Sequence, residues 1–424
     1  MKMRSRLRPV HGALITSMGT GLGGQAALVL SGILVAHILG VENRGHLALL
    51  NTLPLLISQL GGLGVWLSVT FHVAKEPADT RAILRRLRPF VSVQALLLTM
   101  IHGVALLLVF GDETPRVQLA AAFTICAVPA MLAQLYGLAV LQGQQRFRAF
   151  NLCRLAPAVL YALSAFAVFL AGKGTLLVIT ACYVGALLGG GVASVIALRG
   201  LGASPARARP PALKQMIKFG AKGFLGSASP TDGFGLDQAV VGLFLSSSAL
   251  GLYVVGLAFT NLPRFVAQSI GMVAYPNVAA RADPGDARRT LWRFFWLGLS
   301  ICLAIVAGLE LTVGWLLPLL FGRSFSGAVE ITRILLVSAM LLSARRVLSD
   351  AARGAGQATL GTIAEVASWV ALFPAMALLV PAFGVEGVAA ALAISSGSGL
   401  AAIVIGLIRT PVESRRRSSP LSSA

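Results

Sequence analysis

Charge is scarce in this 424-residue chain, and acid is scarcer still: charged residues make up 12%, with 15 Asp and Glu against 35 Lys and Arg. A soluble domain carries about 25% charged residues, so the 56% apolar content excludes an ordinary soluble fold. Only four cysteines occur, Cys126, Cys153, Cys182 and Cys302, each alone within an apolar stretch. That spacing excludes a disulfide framework and a metal-ligand set of the C-x-x-C kind. No G-x-x-x-x-G-K-S/T phosphate loop is present to hold ATP, and neither a metal nor a cofactor is expected. Long polar connections are missing too, which leaves little outside a membrane with which to do chemistry. An enzyme is therefore not expected.

What the chain has instead is twelve apolar stretches of helical length: His11–Leu39, His46–Ala74, Phe90–Phe110, Val117–Leu141, Asn151–Ala171, Thr175–Leu198, Phe219–Leu245, Leu252–Ala279, Leu291–Phe321, Gly327–Ala351, Leu360–Val380 and Val385–Ile408. A helix crosses a bilayer with about 20 mostly apolar residues. The runs are continuous and do not alternate at period two, so they read as helices and not as strands of an outer-membrane barrel. The expected fold is an all-α polytopic membrane protein with twelve transmembrane helices. The first run is about twice the length of a signal-peptide core, so it is expected to stay as the first helix.

Of the 35 Lys and Arg, 29 lie at or beside alternate connections between the stretches. By the positive-inside rule those connections are cytoplasmic, which places both termini in the cytoplasm. The net charge of +20 is thus spent on membrane anchoring. It lacks the clustering on one soluble face that nucleic-acid binding needs.

The largest connection, from about Arg199 to Lys218, is basic and rich in Pro and Ala, as suits a linker between two bundles. The expected organisation is an N-terminal lobe over 1–200 (stretches 1 to 6), a cytoplasmic linker over 201–217, a C-terminal lobe over 218–409 (stretches 7 to 12) and a basic cytoplasmic tail over 410–424. The two halves repeat one another. Leu53-Pro54 is followed by Gln59 and Gly62, and Leu262-Pro263 by Gln268 and Gly271 at the same offsets. The end of stretch 4, Gln142-Gly143-Gln144, is answered after stretch 10 by Ala355-Gly356-Gln357. Both pairs are six stretches apart. An even number keeps the orientation, so the lobes are expected to be parallel six-helix repeats, the plan of an alternating-access transporter.

Three segments carry a family resemblance. Stretches 1 and 2 are joined by Leu39-Gly40-Val-Glu-Asn-Arg-Gly45, and Asp237 is followed by Gly242 and by Gly251-Leu-Tyr253. The end of stretch 10 precedes Phe383-Gly384-Val385-Glu386-Gly387. These resemble, in turn, the "LG-x-x-x-x-G" link, the "D-x-x-x-x-G…G-x-Y" stretch and the "A-x-G-x" and "G-x-x-G" signatures of the Wzx-type oligosaccharide flippases, a MATE-like branch of the multidrug/oligosaccharidyl-lipid/polysaccharide exporter superfamily. The resemblance covers nearly the whole chain. It implies a protein of the bacterial plasma (inner) membrane that turns an undecaprenyl-diphosphate-linked oligosaccharide from the cytoplasmic to the outer leaflet. Its implied partners are that lipid-linked oligosaccharide, membrane lipid, and the glycosyltransferases and polysaccharide polymerase of the same assembly line.

An anionic diphosphate needs cations or hydrogen-bond donors, and ionisable groups within membrane spans are costly and usually functional. Asn261, Arg264 and Gln268 fall at i, i+3 and i+7, one stripe of stretch 8, which Tyr275 extends. Leu55 stands at the repeat-equivalent of Arg264. The alternative is that Arg264 pairs with Asp237, which matches the family's acid in helix 7. Asp232 lies five residues before Asp237, with Gly233 and Gly235 between them, a pattern of bent helices that line transport paths. Further candidate lining residues are Gln25 on stretch 1, and Asn51 and Gln59 on stretch 2. Lys222, one turn after Lys218, is placed to attract a diphosphate or simply to anchor the helix. Glu310 and Glu365 are lone acids with no partner visible in sequence, and are candidates for ion coupling.

Three rivals stand beside this reading. A drug or cation antiporter of the same superfamily is expected to concentrate acids in its N-terminal lobe, and stretches 1 and 2 contain none. An integral-membrane glycosyltransferase or polymerase resembles proteins with a large external loop, absent here. The lipid II flippase branch typically has two more helices and several arginines in its first two.

Overall fold

The computed structural model describes residues 4–199, 211–225, 235–281 and 283–409. Most of the expected 201–217 linker, the 410–424 tail and Asp232 lie outside the described residues. The regular structure described is helical throughout: α1 Arg4–Gly61, α2 Val65–Lys75, α3 Thr80–Phe110, α4 Pro115–Phe123, α5 Ala127–Gly143, α6 Phe147–Ala171, α7 Leu176–Arg199, α8 Leu213–Leu225, α9 Leu236–Phe244, α10 Ser247–Ala279, α11 Pro284–Phe321, α12 Ala328–Gly354 and α13 Ala358–Arg409.

Eight helical segments among the described residues are long and apolar enough to cross a membrane. The difference from twelve stretches has local causes. α1 is two helices joined at Gly40 (φ 69°, ψ −175°), and α13 is two joined at Gly384 (φ 54°, ψ −125°). Each glycine adopts a backbone that side-chain-bearing residues resist, so a pair of stretches reads as one element. α8 and α9 are short pieces of the seventh stretch. α12 carries Glu330, Arg333, Arg345, Arg346, Asp350 and Arg353, too many charges to pass as an apolar span.

The chain forms two compact units. The first takes α1 to α9, α10 as far as Val254, and Leu320–Phe325; the second takes α10 from Val255, α11 to Leu319, α12 and α13. In the first unit, Val65, Val69 and Val73 of α2 pack with Ile83 and Leu87 of α3, Leu132 and Tyr136 of α5, and Met216 of α8. A polar clasp crosses this core: the Tyr136 hydroxyl donates to Gln94 Oε1 at 2.8 Å, and Gln94 Nε2 donates to the Gly61 carbonyl at 2.9 Å. That carbonyl lies where α1 ends. The seam of α5 and α7 closes on small residues; a Cβ on Gly137 would meet the Ser194 side chain at 2.6 Å. Small-residue packing of this kind is how helices associate without a hydrophobic driving force.

In the second unit, Ala274 and Val278 of α10 pack with Leu291 and Phe295 of α11, Ala344 and Leu348 of α12, and Leu360, Ala364 and Ile403 of α13. Outward-facing side chains include Leu108 at 81% and Leu311 at 84% exposure. In water such exposure across whole helix faces is a liability, whereas lipid solvates it.

Candidate functional site

α10 carries the polar stripe. Pro263 lies inside it and has no N–H to give to the ladder, and its own carbonyl faces the Cys302 thiol of α11 at 3.7 Å. Around it, Asn261 and Arg264 are half-buried, and Gln268 and Tyr275 are exposed. One turn further on, the Asp350 carboxylate of α12 lies against Gly271, where any Cβ would collide with it. Arg353 binds the same carboxylate at 3.2 Å. The glycine of the repeated Pro-Gln-Gly pattern is thus the point at which α12 brings a charge against α10.

In the first unit, Asn51 is half-buried and its side-chain oxygen has no hydrogen-bond partner among the described residues. The next residue, Thr52, donates to Gln238 Oε1 of α9 at 3.2 Å. Gln59 is half-buried, while Gln25 and Lys222 are exposed. Asp237, at the start of α9, accepts a 2.8 Å hydrogen bond from the Tyr253 hydroxyl. Gly45 of α1 meets the backbone of Ser247, and Gly251 meets that of Val41, so tightly that neither tolerates a Cβ. The glycines and tyrosine of two short motifs are therefore one structural joint.

The reading of Glu310 and Glu365 as partnerless acids is corrected by tertiary contacts. Arg345 of α12 is 3% exposed and donates to Glu365 of α13 at 3.0 Å and to the Ser368 hydroxyl at 2.9 Å. Ser395 bonds the Ser368 carbonyl at 2.8 Å, extending the polar seam between the two arms of α13. Glu310 of α11 faces Arg333 of α12 at 3.9 Å, a looser pair that Arg333 shares with Glu330 at 2.9 Å.

Three further groups lie outside the sequence-expected site. Arg154 of α6, counted among the anchors, lies over Gly21 of α1 and within 5.7 Å of the Phe150 ring centre. Arg44 of α1 is half-buried, with Nε out of solvent and unbonded among the described residues, and lies within electrostatic reach of Tyr161. The Tyr161 ring packs edge-on against Tyr183 at 5.6 Å. Both ring nitrogens of the fully buried His102 lack a partner among the described residues. The signal for Arg44 was present: it is the one basic residue in the link between stretches 1 and 2.

The described residues hold no group of His, Cys, Asp and Glu side chains arranged to bind a metal ion. Donors dominate: guanidinium, amide and phenol groups outnumber carboxylates that are not already facing an arginine or a tyrosine. Such a set suits an anionic or heavily hydroxylated ligand.

A family model described as "Polysaccharide biosynthesis protein" matches residues 34–330. No curated protein matches the chain. Among solved structures, the inward-closed conformation of the lipid II flippase MurJ superposes with a TM-score of 0.75 at 12% identity, covering 94% of this chain and 88% of that one. An inward-facing multidrug resistance MATE family transporter of the MOP superfamily gives 0.67 at 14% identity, covering 91% and 93%. A MATE in complex with MaL6 gives 0.61 at 16%, covering 93% and 94%. At such identities the likeness shows the fold alone.

Proposed function

This chain belongs to the polysaccharide biosynthesis protein family, and from that membership we propose that it is a flippase for a polyprenyl-diphosphate-linked oligosaccharide, serving export of O-antigen, capsule or exopolysaccharide across the bacterial plasma membrane. The family and the fold shared with membrane transporters support reading it as a multi-pass membrane transporter and not as an enzyme. The proposal includes the load, a parallel two-lobe plan, alternating access and cytoplasmic termini.

The supporting observation is the fate of the acids. Export of a lipophilic cation calls for carboxylates free to receive it. Glu365 is held by Arg345, Glu310 faces Arg333, and Asp237 takes the Tyr253 hydroxyl. Arg44 faces no acid at ion-pair distance among the described residues. That balance favours an anion over a cation as cargo. In this scheme Arg264, with Asn261 and Gln268, replaces water around the diphosphate. Gln25, Asn51 and Gln59 offer amides to the sugars, Asp237 lies in the first turn of α9, and Lys222 attracts the headgroup from the cytoplasm. Of the two coupling candidates Glu310 has the looser contact, its arginine being distant and shared, whereas Glu365 is bonded directly to Arg345. The oligosaccharide is built by glycosyltransferases beforehand and consumed by a polymerase afterwards.

The test is flipping of a lipid-linked oligosaccharide in proteoliposomes. Arg264→Ala is expected to lower the rate about tenfold or more, the loss of roughly one charge-assisted contact, and Arg264→Lys to retain part of it. Undiminished flux in a correctly inserted Arg264→Ala protein removes Arg264 from the mechanism.

A further inference from the structure

The start of α11 carries a groove that the transport reading does not use. Ala287, Leu291 and Phe295 recur at i, i+4 and i+8 and are buried in the core of the second unit. The rest of the surface over these turns presents Arg288, Arg289, Trp292, Arg293 and Trp296, which with Gly285 line an open cavity of about 590 Å³. That lies within the roughly 300–1,000 Å³ of small-ligand sites.

The walls are fixed from below. Phe295 meets Trp292 edge-on at 5.4 Å and Trp296 at 5.2 Å, so one buried ring orients both indoles. The same face is cationic. Arg289 has only Asp286, at 3.8 Å and with both side chains mostly exposed, a pairing that contributes little. Arg288 and Arg293 face no carboxylate at ion-pair distance among the described residues. Asp283, the other nearby acid, accepts the Asp286 backbone N–H at 2.9 Å.

Position identifies the occupant. The groove occupies the first three to four turns of a 38-residue membrane-spanning helix, and Leu297 and Ile301 continue its outer side as exposed apolar surface. Tryptophan collects at the headgroup level of bilayers, and arginine forks match phosphate oxygens. Anchoring accounts for each residue singly but not for three guanidiniums and two indoles fixed by one buried ring on a single helix face. We propose that this groove binds an anionic phospholipid, its phosphate held by Arg288, Arg289 and Arg293 between the Trp292 and Trp296 rings while its acyl chains run down the apolar flank.

The experiment is native mass spectrometry of the full-length protein in detergent, incubated with phosphatidylglycerol, phosphatidylcholine or undecaprenyl diphosphate. Wild type is expected to retain phosphatidylglycerol over phosphatidylcholine. In R288Q/R289Q/R293Q that retention drops about tenfold; in W296A, whose charge is unaltered, it drops several-fold. A remote control, R81Q/R85Q/R88Q, keeps wild-type retention. Unchanged binding in the triple groove variant overturns the proposal, as does equal loss in the remote control, which would mean net charge alone. Preferential binding of undecaprenyl diphosphate, lost in the groove variant, also overturns it in favour of a carrier site. Because the readout is bound lipid, its outcome is independent of whether the protein flips an oligosaccharide.

Discussion

The two units close their helix seams with different chemistry. Between α5 and α7 the contact is made by Gly137 and Ser194 without charge. Between α12 and the first arm of α13, stretches 10 and 11, it is made by Arg345, Glu365 and Ser368, with the guanidinium almost wholly buried. Internal cations follow the same division. The second unit's buried Arg345 meets a glutamate, whereas the first unit's Arg44 meets the electrostatic field of a tyrosine. Contact between neighbouring helices is therefore made without charge at one seam and with a paired charge at the other. A paired charge holds helices; a cation without an acid is held in readiness for something else.

The sharpest way to break this contrast is at Arg345. Arg345→Met leaves Glu365 half-stranded and is expected to cost about 3–5 kcal/mol, while Arg345→Met with Glu365→Leu recovers most of it; thermal unfolding in detergent reads both. A double variant as unstable as the single would mean that the pair is not what holds α12 to α13. The neutral seam comes next. Gly137→Leu forces a side chain into Ser194 and is expected to lose about 1–3 kcal/mol by the same measurement, and a neutral result would show that the α5–α7 contact is loose. Tyr136→Phe, which removes one hydrogen bond to Gln94, is expected to lose about 1 kcal/mol. The smallest stability change belongs to Arg44→Met, within about 0.5 kcal/mol because no ion pair is lost, although flipping in proteoliposomes is expected to fall. A large stability loss there would show that Arg44 serves the fold, and the contrast between the units would fail.

The helices were legible because each apolar run is longer than any soluble helix needs, and the joints at Gly40 and Gly384 fall between stretches drawn from hydropathy. The polar stripe of α10 was legible because its period lies within one helix. The Arg345–Glu365 pair was not: its members sit 20 positions apart on separate helices, and Arg345, next to Arg346 near a helix end, read as an anchor. A clue existed in α12 itself, since a run with six charged side chains has to bury or pair some of them. The Tyr253–Asp237 bond was half visible, both residues being in the motif, but the 16 positions between them cross a helix break that periodicity does not bridge.

Helix α10 changes allegiance between Val254 and Val255, although it runs unbroken from Ser247 to Ala279. Severing the polypeptide at the proline-rich connection near residue 205 would leave the C-terminal fragment holding α9 and the Gly251–Tyr253 joint without the α1 surface on which they rest. Fragment complementation is thus expected only when both pieces are made together.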